Sequence, residues 1–165
     1  MMTFEDVARR CVRDADSFDE RHLYTIGRWH KSLGRLQTFI CDIEDASCST
    51  TESDVACDMA YHLRDIAVGA AIMLIKLGVR RPAEAFIDEY AKAAAKHPGM
   101  TLDSDQHTNE SRFYALAEEV GEVCAALTYD NAKDTGHNAD LISEVVQVGG
   151  LALAWLSRYQ GGEVR

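Results

Sequence analysis

Proline is nearly missing from this chain. Two occur in 165 residues, Pro82 and Pro98, so long stretches remain open to helix that proline would break. Closely spaced cysteine pairs are missing as well. The five cysteines, Cys11, Cys41, Cys48, Cys57 and Cys124, form no CxxC pair and no Cys–His ligand spacing. That excludes a closed zinc site and makes reduced, cytoplasmic thiols the expectation. Basic residues are in short supply, 17 against 27 acids, for a formal net charge of -10. Such a field repels phosphate backbones, and the short Arg80-Arg81 pair with scattered Lys and Arg does little to oppose it, so no nucleic acid is expected as a partner. A long apolar run is also lacking. Ile66–Val79 and Val145–Leu156 are interrupted by Lys76 and Gln147 and are too short to span a bilayer. The first residues, MMTFEDVARR, lack an apolar signal core. Neither a membrane partner nor secretion is therefore expected.

What is present is an ordinary globular balance, 47% hydrophobic and 27% charged, in a length that suits one domain over 1–165. A chain of this size buries roughly 70% of the surface its unfolded form exposes, enough to fold without a staple. Apolar residues recur at helical spacing almost throughout, and no convincing segment alternates with period two. The pattern predicts helices over 3–16, 19–47, 52–78, 82–96, 108–129 and 138–160. Thr51 or Ser53 caps the third, Arg81-Pro82 opens the fourth, and Thr108 or Asn109 precedes the fifth. Gly78 stops the third and Gly161-Gly162 the last, while His97-Pro98-Gly99 breaks the chain. The expected fold is all-α, an antiparallel helical bundle.

Two helix pairs look alike. GRLQTFICDIEDA from Gly34 overlays SRFYALAEEVGEV from Ser111 without gaps, setting Arg35 on Arg112, Asp42 on Glu119 and Asp45 on Glu122. Downstream, Asp65 falls opposite Glu144. An internal duplication would make 1–80 a degenerate first copy and 82–160 the half that keeps the acids. The alternative is chance likeness between amphipathic helices.

The acids themselves carry the chemistry. In AEEVGEV, Glu119 and Glu122 are three apart and project from one helical face, with Glu118 a further acid beside them. Like charges at this spacing repel, so the helix gains nothing from them alone. Gly121 between them costs about 1 kcal/mol relative to Ala, which suggests a close approach to the backbone. In the next helix Glu144 lies in an otherwise apolar run, with Gln147 again three residues on. A carboxylate facing a bundle interior is costly unless it is paired, protonated or bound to a metal. If the two helices are neighbours, Glu119, Glu122 and Glu144 converge, and hard oxygen donors of this kind suit Mg²⁺ or Mn²⁺. The competing reading is a solvated acidic face, the common fate of charged residues.

This stretch, roughly His107 to Tyr159, resembles the MazG-like nucleoside triphosphate pyrophosphohydrolases, whose helices carry ExxE and, after a loop, ExxD. Glu119 and Glu122 match ExxE, and Glu144 matches the first position of ExxD. Gln147 departs from the pattern: its amide can ligate a metal but brings no charge and cannot act as a base. The resemblance implies an all-α fold of that type, assembled as a homodimer or higher homo-oligomer. It also implies Mg²⁺- or Mn²⁺-dependent cleavage of a nucleoside triphosphate between the α and β phosphates, giving a monophosphate and pyrophosphate. Glu119, Glu122 and Glu144 would then be the catalytic and metal-binding acids, with Gln147 a neutral fourth ligand. Lys133, Arg158 and Glu118 are the candidate substrate contacts. Two rivals stand beside this reading. One is a protein that binds or sequesters nucleotide with an impaired site, and the other is a non-catalytic helical interaction protein with solvated acids.

Asp58, His62 and Asp65, at i, i+4 and i+7, form a second candidate ligand stripe, more commonly a satisfied surface triad. His107 and His137 flank the acidic stretch, and Trp29 and Trp155 read as core anchors.

Overall fold

A computed structural model describes residues 3–15, 22–45, 47–128 and 140–160. Among these residues the chain is six packed helices without a strand: α1 (Phe4–Ala15), α2 (His22–Glu44), α3 (Glu52–Lys76), α4 (Pro82–Lys96), α5 (Asn109–Ala126) and α6 (Leu141–Gln160). α4 has the expected bounds, as do the start of α3 and the end of α6. The other ends lie one to three residues inside those expected, because a hydrophobic repeat marks a helix's buried face and not its last hydrogen bond. No helix among the described residues is long and apolar enough to cross a membrane. All five cysteines are free thiols.

The local signals place the starts and stops. At α3 the Asp54 carboxylate accepts from the Thr51 backbone N–H at 2.8 Å, which decides for Thr51 over Ser53. Pro82 occupies the first turn of α4, where its missing N–H costs nothing. At α5 the Thr108 hydroxyl accepts from the Ser111 N–H at 3.1 Å. Gly78 and Gly99 both adopt positive φ, 85° and 74°, turning the chain out of α3 and past the His97-Pro98 break. Gly161 and Gly162 lie outside the described residues.

α3 and α6 pack against each other at the centre, and their apolar faces supply most of one continuous core. α2 flanks α3, α5 flanks α6, and α1 and α4 close the remaining sides. Trp29 and Trp155 are fully buried, and Trp29 donates to the Ile66 carbonyl at 3.0 Å. The sequence overlay of the two helix pairs is corrected at its first segment. Arg35 is exposed whereas Arg112 is 2% exposed. By burial, Leu36 and Ile40 correspond to Leu116 and Val120, not to the Phe113 and Ala117 that the ungapped overlay assigns them.

Candidate functional site

α5 and α6 bring the acids together. Glu119 and Glu122 share one face of α5, because Leu116, Val120 and Val123 bury the other in the core. Glu144 sits in the first full turn of α6, between the fully buried Val145 and the α5 face. One carboxylate oxygen from each of Glu119, Glu122 and Glu144 lies within 4.8 Å of the other two. Among the described residues this is the one such cluster of three acidic, histidine or cysteine side chains.

Packing this negative charge together perturbs the acids. Burial, followed by the charges of Glu122 and Glu144, pushes the Glu119 carboxyl up to about 7. Glu144, only 8% exposed, is raised by burial first and then by a hydrogen bond and charge from Glu122. Glu119 Oε2 is buried and meets no hydrogen-bond partner among the described residues. An orphaned buried carboxylate oxygen beside two further carboxylates is costly unless a proton or a cation occupies the gap. The all-oxygen donor set, the short spacing and the orphaned atom therefore fit a hard divalent ion.

Gln147 does not stand apart as an open ligand. Its Nε2 donates to Glu144 Oε2 at 3.2 Å, so it holds the carboxylate in place. Glu118 is exposed and acts on Glu119 as one more repelling charge. Arg158 is brought nowhere near the acids. It lies near the opposite end of α6, about 20 Å along the axis from Glu144 at 1.5 Å per residue. There its Nη1 donates to the Asp103 and Ser104 carbonyls and to Asp105 Oδ1, at 3.1, 3.3 and 2.8 Å. Lys133 and His137 lie outside the described residues. His107 Nε2 is 2.8 Å from the Met100 carbonyl oxygen and so closes the loop between α4 and α5. The Asp58–His62–Asp65 stripe does not converge: Asp58 is exposed, His62 Nδ1 meets Ser32 Oγ at 3.3 Å, and Asp65 pairs with Arg28.

Three features of this region are set by packing, and of these the sequence offered only close helix approach at Gly149-Gly150. The first is a cleft of about 480 Å³ between α4, the 97–102 segment and α6, which reaches Glu119 and Gln147 at one end. The second is Gly149. A Cβ there would lie 2.6 Å from Phe86 Cζ, so its absence lets α4 seat against α6. The expected close approach is thus at the Gly149-Gly150 pair. At Gly121 a Cβ would meet nothing within 4 Å, which corrects the expectation made there. The third is Arg112, buried on α5. It donates to the Leu102 and Ser104 carbonyls, both at 2.7 Å, and to Asn109 Oδ1 at 3.1 Å, pinning the segment that forms one cleft wall. An arginine three residues into a helix reads locally as a surface charge, so only its contacts reveal this role.

Compared with known proteins, the chain matches no family model, no curated protein and no solved structure.

Proposed function

We propose that the chain is a Mg²⁺- or Mn²⁺-dependent nucleoside triphosphate pyrophosphohydrolase of MazG-like type, cleaving between the α and β phosphates. The observation that carries this reading is the convergence of Glu119, Glu122 and Glu144 within 4.8 Å at the end of a cleft of small-molecule size. The ExxE-loop-Exx(Q) spacing supports it from the sequence side. These three acids would hold the ion, which when bound supplies charge neutralisation at phosphate oxygens and activation of water.

The chain's own residues account for the rest. Glu144 is held by the Gln147 amide, so one of its oxygens is fixed while the carboxylate still faces Glu122. Glu119 borders the cleft, and its buried Oε2, which meets no hydrogen-bond partner among the described residues, is the oxygen placed to face the ion or its water. The apolar packing of Val145, Val146 and Val148 beneath Glu144 excludes water from that side.

The test is pyrophosphate release from a panel of ribo- and deoxynucleoside triphosphates with Mg²⁺ or Mn²⁺, run beside Glu119→Gln. Release that vanishes in the variant supports the enzyme. Silence across the panel removes it. Gln147 favours a second reading, because a neutral amide on Glu144 lowers the charge available to an ion. In that reading the site binds a nucleotide without turning it over, and ligand-dependent thermal shifts without product would identify it.

A further inference from the structure

The cleft raises a question that the acids alone do not answer, namely what counters the charge of a polyphosphate in a chain of net charge -10. Arg158 is committed to the Asp103 and Ser104 carbonyls and to the Asp105 carboxylate. The cations that do border the cleft come from α4: Lys92 and Lys96. Lys92 and Lys96 are one helical turn apart and share the face that looks onto the cleft. Lys92 reaches Glu89 at 3.5 Å, but its side chain is 75% exposed, so that pair is weak and readily exchanged for a stronger anion. Across the cleft the wall is uncharged, with Met100 and Leu102 from the loop and Leu151 from α6. The space therefore has three chemically distinct parts: an acidic end at Glu119 with Glu89 of α4 beside it, a basic rim at Lys92 and Lys96, and an apolar wall.

We infer that the cleft seats the nucleotide of the proposed reaction, with Lys96, assisted by Lys92, gripping the polyphosphate and the Leu102–Leu151 wall receiving the nucleoside. This rests on the pyrophosphohydrolase reading for the identity of the ligand, and it assigns the phosphate contacts to α4. The cleft volume of about 480 Å³ lies within the range of small-molecule sites. A charge-assisted contact from an ammonium is the ordinary way to hold a phosphate oxygen. Leu151 follows Gly150 on α6, one turn beyond Gln147, so the apolar wall adjoins the acidic end directly.

Calorimetric titration of Mn²⁺ alone, of inorganic tripolyphosphate with Mn²⁺, and of α,β-methylene nucleoside triphosphates with Mn²⁺ tests this without needing turnover. The comparison is between the native chain, Lys96→Glu and Leu151→Trp. Lys96→Glu is expected to weaken both the tripolyphosphate and the nucleotide analogue by about tenfold or more. Leu151→Trp, which fills the apolar side, is expected to weaken the analogue and spare tripolyphosphate. Mn²⁺ alone should bind all three proteins alike. Unchanged analogue affinity in Lys96→Glu overturns the inference, as does equal loss of both ligands in Leu151→Trp. A native chain that binds Mn²⁺ but no analogue overturns it while leaving the metal site standing. A chain that binds neither takes the pyrophosphohydrolase reading down as well.

Discussion

Arg28 on α2 forms an ion pair with Asp65 on α3, and Ser32 donates to the second oxygen of the same carboxylate at 3.0 Å. Glu144, which the sequence overlay sets opposite Asp65, faces α5, the preceding helix. It receives a neutral amide, Gln147 Nε2, and stands beside Glu122. The two helix pairs thus treat an inward acid in opposite ways. In the first the carboxylate is neutralised by an arginine, while in the second three carboxylates gather, of which Glu119 borders the cleft. That contrast goes with the Asp58–His62–Asp65 stripe forming no cluster, since Asp65 is already paired with Arg28.

The gathered acids make stability depend on pH in a definite sense. Glu119 has its carboxyl raised to about 7, above the ordinary value of 4.5. The folded state therefore holds the proton more tightly than the unfolded state between those values. Its contribution is complete below about pH 4.5 and is lost as pH rises through about 7. Glu119→Gln should accordingly stabilise the ion-free protein near pH 8 by about 1 kcal/mol, after discounting for solvent screening, and should do little near pH 4. Thermal denaturation of both proteins across pH checks this, and a variant less stable at pH 8 would contradict it.

Mn²⁺ should raise the melting temperature of the native chain more near pH 8 than near pH 5, because the ion must displace protons from Glu119 and Glu144 at the lower pH. Equal shifts at both values, or equal shifts in Glu119→Gln, would place any bound ion elsewhere.

Gln147→Asp adds a charge at the edge of the cluster and removes the amide that holds Glu144. It should tighten Mn²⁺ binding and raise any turnover. Gln147→Leu should weaken Mn²⁺ binding, since it leaves the Glu144 oxygen without its donor. Isothermal titration of the two variants reads both effects. Weaker Mn²⁺ binding in Gln147→Asp than in the native chain would mean that the amide matters more than the charge.

Two of the three glycines of the acidic helices, Gly149 and Gly121, should respond oppositely to alanine. Gly149→Ala drives a Cβ into the Phe86 ring and should cost about 1–3 kcal/mol, with partial rescue by Phe86→Leu. Gly121→Ala meets nothing within 4 Å and should stabilise by about 0.5–1 kcal/mol through helix propensity. Urea unfolding midpoints distinguish the two, and a stabilised Gly149→Ala would show that α4 does not seat tightly on α6.

Arg112→Met should cost about 2–4 kcal/mol, because the Leu102 carbonyl loses its donor and the Ser104 carbonyl is left with Arg158 alone at 3.3 Å. Hydrogen exchange should rise first in residues 101–108, ahead of the α3–α6 core, and uniform loss of protection would contradict a local role for this arginine.

Much of the molecule was legible along the chain. The six helices and most of their caps follow from interactions within a few residues: apolar recurrence, Thr51 with Asp54, Thr108 with Ser111, and proline at the first turn of α4. The side-by-side placement of Glu119 and Glu122 follows from helix geometry alone. Other features depend on which faces meet, and a local pattern carries no information about that. Burial set Leu36 against Leu116 in phase and overruled an overlay made from letter likeness. The cleft exists because α4 lies along α6 where Gly149 admits Phe86. Arg112 became a buried strut only because the 102–104 carbonyls turned toward it. Local hydrogen bonds and periodicity thus determined the helices and one edge of the acid cluster. The convergence of Glu144 on that cluster, the Arg28–Asp65 pair and the basic rim on α4 were decided by long-range packing, in which residues far apart in sequence compete for the same buried space.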